Sequence, residues 1–204
     1  RITQLTNEYP PHVYGGAGVH IEYLARELAR AEGGAHAVQV LCFGEQDAPD
    51  GNPRVRGVAP PVRLAAQDPR HAKLLDALVR DLAMVGLADA PEIVHCHTWY
   101  AHLAGCLARP LTGARLVLTT HSLEPHRPWK VEQLGTAYHA SSWIERTAYQ
   151  NADGVVAVSE AMKADVQALY GVAPERVRVI HNGIDPDEYR PQHDPATLAR
   201  LGVD

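Results

Sequence analysis

The sequence is poor in the residues that mark several classes of protein. It has three cysteines in 204 residues. Cys42, Cys96 and Cys106 are scattered and lack CxxC spacing, so neither a disulfide framework nor a thiolate zinc site is signalled. Their expected role is that of small buried hydrophobes. No apolar run approaches the roughly 20 residues needed to cross a bilayer, and no charged-then-apolar leader opens the chain. A cytoplasmic protein without membrane contact is expected. Basic runs are missing too: 19 Lys and Arg stand against 24 Asp and Glu, for a formal net charge of -5. Nucleic acid demands clustered cations, so it is not an expected partner. Internal repeats and low-complexity segments are absent as well.

What is present is a hydrophobic fraction of 46%, arranged in two alternating patterns. Short β-branched runs recur at Ile2–Leu5, Val38–Phe43, Ile93–Cys96, Leu116–Thr119, Val155–Val158 and Val177–Ile180. Each is too short for a helix and nearly continuous, as strands covered on both faces are. Between them Ile21, Leu24, Ala25 and Leu28 fall at helical spacing, as do the leucines of His71–Leu87. Further helices are predicted at Tyr100–Ala108, Thr136–Asn151, Ala161–Leu169 and Ala196–Leu201, the third with Ser159 as N-cap and running on to Gly171. The alternation specifies an α/β fold with a Rossmann-like, doubly wound parallel sheet. The Pro-, Asp- and Gly-rich stretch Gln46–Pro69 reads as an irregular excursion.

In such sheets ligands sit beyond the carboxyl ends of the strands. The first strand runs into a loop ending Tyr14-Gly15-Gly16-Ala17-Gly18 and then directly into a helix, which leaves backbone N–H groups and a positive dipole end for phosphate. A plain tight turn is the competing explanation of the glycines. A dinucleotide fingerprint fails on spacing, because Gly16-x-Gly18 requires a small residue at position 21, where Ile21 stands.

Other strand ends carry chemistry-bearing residues. His95 and His97 flank Cys96 and point to one face, but no acidic or cysteine partner follows at ligand spacing, so no metal site is read from them. His97-Thr98-Trp99-Tyr100 suits sugar stacking and equally suits a core. His121 ends the next strand at the same sheet edge, without a serine elbow. Beyond it, His126-Arg127-Pro128-Trp129-Lys130 places two cations beside an aromatic, in a chain with only three lysines. It is either an anion site or a solvated loop.

The ordered set Asn7-Glu8-Tyr9-Pro10-Pro11, Tyr14 to His20, Val94 to Trp99, Thr120 to Pro125, Arg127 to Lys130 and Asn182-Gly183-Ile184-Asp185 closely resembles the first half of bacterial family 4 glycosyltransferases. Within that family it is most similar to the actinobacterial glycogen synthase and α-maltose-1-phosphate synthase group. The resemblance implies half of a GT-B fold, two facing Rossmann-like domains with the active site between them. Residues 1–185 would be the N-terminal, acceptor-side domain, and 186–204 a linker toward a C-terminal domain that binds the donor nucleotide. It further implies a retaining hexosyltransferase that moves glucose from ADP-glucose to an α-glucan or to glucose 1-phosphate. No cofactor beyond the nucleotide sugar is implied, and this half alone is expected to be inactive. His121 matches the catalytic position, while Gly15 and Gly16 match the donor phosphate and sugar loop. Glu8, Tyr14, His97, Trp99, Glu124, Arg127, Lys130 and Asn182 match acceptor or cleft-lining positions. Classical glycogen synthases carry Lys-x-Gly-Gly and His-Asp-Trp where this chain has Val13-Tyr14-Gly15-Gly16 and His97-Thr98-Trp99. A non-catalytic carbohydrate-binding domain, an NAD(P)-binding domain and a family 4 enzyme with another acceptor are the alternatives.

Overall fold

The computed structural model describes residues 1–191 and 194–202. Part of the expected linker, residues 192, 193, 203 and 204, therefore lies outside the described residues. Strands β1 (Ile2–Thr6), β2 (Val38–Phe43), β3 (Asp47–Ala48), β4 (Arg54–Val58), β5 (Ile93–Cys96), β6 (Arg115–Thr120), β7 (Gly154–Ala157) and β8 (Val177–Val179) form one sheet. Its order is β3-β4-β2-β1-β5-β6-β7-β8, parallel throughout except for the β3–β4 pair. β1 is central, with Ile2 level with Val38 on one side and Ile93 on the other. The chain winds outward from β1 to β4 and then returns to β5, so the strand order reverses between β1 and β5. The crevice above that reversal is where open α/β sheets bind ligands.

The helices among the described residues are α1 (Gly16–Gly34), α2 (Ala72–Leu87), α3 (His102–Thr112), α4 (Lys130–Leu134), α5 (Ala137–Asn151), α6 (Glu160–Tyr170) and α7 (Pro195–Leu201). Alternate residues of β2 serve opposite faces of the sheet. Val38, Val40 and Cys42 pack with Ile21, Ala25 and Ala29 of α1, whereas Leu41 joins Met84 of α2, Ala104 and Ala108 of α3 and Tyr149 of α5. Complete burial of Ile21, Leu41 and Leu116 contributes about 1.5–3 kcal/mol each. Helix α3 lies close on the sheet because residue 105 is glycine: a Cβ there would stand 2.4 Å from Sγ of Cys96. Helix α6 starts and stops as the sequence predicts, with Ser159 Oγ accepting from Met162 N–H at 3.1 Å and Gly171 left-handed at φ 67°.

Two expectations change. The stretch 46–69 is not wholly irregular, because β3 and β4 extend the sheet edge there. β4 is half exposed, so its run is interrupted by Arg54, Arg56 and Gly57 and does not read as apolar. The helix expected from Tyr100 begins at His102 after a tight 3-10 turn at Trp99–Ala101, and the segment expected as a loop after Pro128 turns into α4.

Candidate active site

The loop between β1 and α1 is held from within by Glu8. Thr6 Oγ donates to the Glu8 carbonyl at 3.0 Å and accepts its N–H at 3.1 Å, which fixes the bend after the strand. The buried Glu8 carboxylate then accepts the N–H groups of Tyr14 (3.2 Å) and Gly15 (3.0 Å) through one oxygen. Gly18 permits this arrangement, since a Cβ at that position would lie 2.9 Å from Val13 and 3.0 Å from Glu8. The expectation that Gly15 offers its N–H to a phosphate is thereby corrected: that group already has a carboxylate. The free donors are those of the first turn of α1, Gly16 to Gly18, which have no intrahelical acceptor and no side-chain cap. A Cβ on Gly16 would meet nothing within 4 Å.

Facing this loop, the ends of β5 and β6 bring histidines together. His97 is fully buried; its Nε2 donates to Gln4 Oε1 at 2.6 Å, and its Nδ1 lies 3.4 Å from Nε2 of His121. His95 stacks beneath His97 at 4.3 Å between centroids and bonds Thr119 Oγ at 2.7 Å. His20, on the second turn of α1, meets the His121 ring edge at 5.0 Å. Burial, and then the neighbouring imidazoles, depress these rings: His121 falls to about 4, His95 to about 3, and His97 well below its ordinary value. All are neutral at pH 7.

Glycine loop and histidines wall one cavity of about 160 Å³, to which Glu8, Tyr14, Gly15, Gly16, His97, Trp99, His121 and Arg127 all contribute. A larger hollow of about 810 Å³ adjoins it beyond β2 and β4, sharing Tyr14 and carrying Arg63 and Arg80. Trp99 packs as a core residue and still lines the cavity. It is 4% exposed, stacks on Tyr100 at 4.0 Å and belongs to a core with Leu74, Leu134 and Ile144.

Three expected cleft residues stand elsewhere. Lys130 is buried, its Nζ 2.7 Å from Glu124 Oε1, and neither residue reaches the cavity wall. The other oxygen of Glu124 accepts Ser141 Oγ–H at 3.0 Å. The pair is consumed internally, since a buried charge persists only when partnered. Asn182 is exposed just past β8 and does not line the cavity; its neighbours His181 and Gly183 border a separate hollow against α1. Arg127 does face the cavity, its guanidinium 3.3 Å from Ser122 Oγ.

Other residues of the site went unremarked in the sequence. Exposed Lys73 places Nζ 5.1 Å over the ring of Tyr100, a cavity residue, and so brings a cation close to the cavity without forming part of its wall. Glu145 lines the cavity floor, and burial raises its carboxyl to about 7. Gln4 was legible in principle, as a polar residue inside an otherwise buried strand.

A family model, Glycosyltransferase Family 4, matches residues 14–188. α-Maltose-1-phosphate synthase of Mycolicibacterium smegmatis is 47% identical over all of this chain and 50% of its own length. Glycogen synthase of Mycobacterium tuberculosis is 33% identical over 99% of the chain and 54% of its own length. Among solved structures, sucrose-phosphate synthase of Thermosynechococcus elongatus superposes with a TM-score of 0.65 at 15% identity, covering the whole chain and 53% of that protein. The chain spans about half the length of the curated relatives it matches. Its sheet and helices are those of one Rossmann-like half of a GT-B fold.

Proposed function

The chain belongs to glycosyltransferase family 4, and on that premise we propose that it is the acceptor-side half of a retaining glucosyltransferase that moves glucose from ADP-glucose to glucose 1-phosphate. Residues 1–185 form this half, and the segment from 186 onward leads to a second domain that holds the donor nucleotide. The observation that carries the reading is the meeting of the free first-turn N–H groups of α1 and the neutral His121 on one cavity. The N–H groups and helix dipole stabilise the departing diphosphate, while the neutral imidazole hydrogen-bonds the sugar without repelling its developing positive charge. Retention follows when the acceptor attacks the face from which the diphosphate leaves, with that phosphate taking the acceptor proton. Glu145, raised to about 7 and bonded to the Glu124 N–H at 2.8 Å, is held as part of the floor rather than as a nucleophile.

Two observations favour a phosphorylated acceptor over a glucan. Arg127 in the wall and Lys73 beside Tyr100 bring positive charge to a pocket whose imidazoles are neutral and whose Glu8 carboxylate is already engaged by backbone N–H groups, and cations hold phosphate more strongly than neutral hydroxyls. The chain is also more similar to α-maltose-1-phosphate synthases than to glycogen synthase. The test is the full-length enzyme with ADP-glucose and either glucose 1-phosphate or maltooligosaccharide. Preference for glucose 1-phosphate that disappears in Arg127→Ala, Lys73→Ala is expected. Preference for the glucan, unaffected by these changes, would replace the phosphate acceptor with a polymer.

A further inference from the structure

Three imidazoles converge from three elements: His20 from α1, His97 from the segment after β5 and His121 from the segment after β6, the last two lining the cavity. One nitrogen of each lies within 4.8 Å of the others. From this geometry we propose that the cluster binds a divalent transition-metal ion of the zinc class, with three imidazole ligands and a fourth coordination position opening to the cavity.

Tetrahedral coordination at zinc–nitrogen distances of about 2.0–2.1 Å sets ligand nitrogens about 3.3–3.4 Å apart. The His97–His121 separation of 3.4 Å already has that value. The outer hydrogen bond is in place too. His97 Nε2 donates to Gln4 Oε1 at 2.6 Å, which fixes the tautomer and turns the bare Nδ1 toward the cluster, as partners of metal-binding histidines do. His20 supplies an independent sign: its Nε2 is buried without a hydrogen-bond partner among the described residues, and an ion would satisfy it. His95 is excluded, because its Nε2 is engaged by Thr119. Sequence spacing alone reads no metal site from His95 and His97; the cluster is His20, His97 and His121. Imidazoles without a carboxylate select zinc, cobalt, nickel or copper over magnesium and calcium. Binding stands apart from the proposed transferase reaction. Its consequence, inhibition by occupying His121, rests on that reading.

The experiment uses full-length protein stripped with a chelator and titrated with Co²⁺, whose visible bands report tetrahedral coordination, followed by displacement with Zn²⁺. One ion per chain is expected, unaffected by millimolar Mg²⁺. His20→Ala and His97→Ala should each weaken binding at least a hundredfold, and Gln4→Leu by about tenfold to a hundredfold, as the loss of such an outer partner does. His20→Asn replaces His20→Ala if circular dichroism shows the latter unfolded, and His95→Gln should leave affinity unchanged. Absence of tetrahedral bands, or wild-type affinity in the His20 and His97 variants, overturns the site. Full turnover with the ion bound would instead remove His121 from the transferase reaction and leave the metal site standing.

Discussion

Two clusters of polar side chains lie along the chain just beyond β5 and β6, and they are built on opposite terms. The histidine cluster brings neutral His97 and His121 to the cavity with His20 against them, and Nε2 of His20 has no hydrogen-bond partner among the described residues. The neighbouring cluster ties Lys130 to Glu124, Glu124 to Ser141, and Glu145 to the hydroxyl of Tyr170, so that each of its ionisable groups is hydrogen-bonded inside the fold. The second has the more conspicuous residues in sequence, yet its ion pair stays off the cavity wall, to which it contributes only Glu145. A charged side chain marks a ligand site only when the protein has not already spent it.

The sharpest way to separate the buried histidines from the buried carboxyls is acid, because they respond to it with opposite sign. His95, His97, His102 and His121 have folded pKa values below their ordinary 6.5, so the unfolded chain binds more protons than the folded one. Their stabilisation is complete above about pH 6.5 and is lost as pH falls toward 4. Each extra proton bound on unfolding contributes a slope of about 1.4 kcal/mol per pH unit. Glu145 at about 7, and Asp81, raised well above its ordinary value by burial, act the other way and gain stability in acid. Four histidines outweigh two carboxyls, so denaturant unfolding should show a loss of several kcal/mol between pH 7 and pH 5. A rise over that range would make the carboxylate cluster dominant.

Lys130→Met should cost about 3–5 kcal/mol in the same measurement, because it strands a buried Glu124 charge. Turnover of the folded fraction in the full-length enzyme should be nearly unchanged. His121→Ala inverts the pattern: turnover falls on the order of a hundredfold, the size of losing one well-placed polar group, with little change in unfolding. Arg127→Ala should raise KM for glucose 1-phosphate about tenfold, whereas Lys130→Met should not; equal effects would return Lys130 to the acceptor site. The smallest change is expected from Gly16→Ala. Its Cβ enters open space in the fold, so donor affinity read by calorimetry should weaken severalfold at unchanged stability.

The sheet was legible because parallel strands buried on both faces leave short continuous apolar runs, and six of the eight strands do so. β3 and β4 were not, since an edge strand needs no such run. At the site, the glycine loop, His97 and His121 were visible because strand ends are where this architecture puts ligands. The fate of Lys130 was not visible: Glu124, six residues away, sets it, and no local pattern distinguishes a lysine that meets solvent from one folded inward. His20 was hidden as a helix residue whose meaning appears only when α1 and the two strand ends come together.

Gly18 carries a lesson for interpreting variants of this protein. Any side chain there would press on Glu8 and Val13, and so displace the carboxylate that holds the Tyr14 and Gly15 amides. A survey scored by lost turnover alone would rank Gly18 beside Gly16, although one shapes the loop and the other lines the cavity. Screening each variant for folding as well as turnover separates the mould from the contact surface.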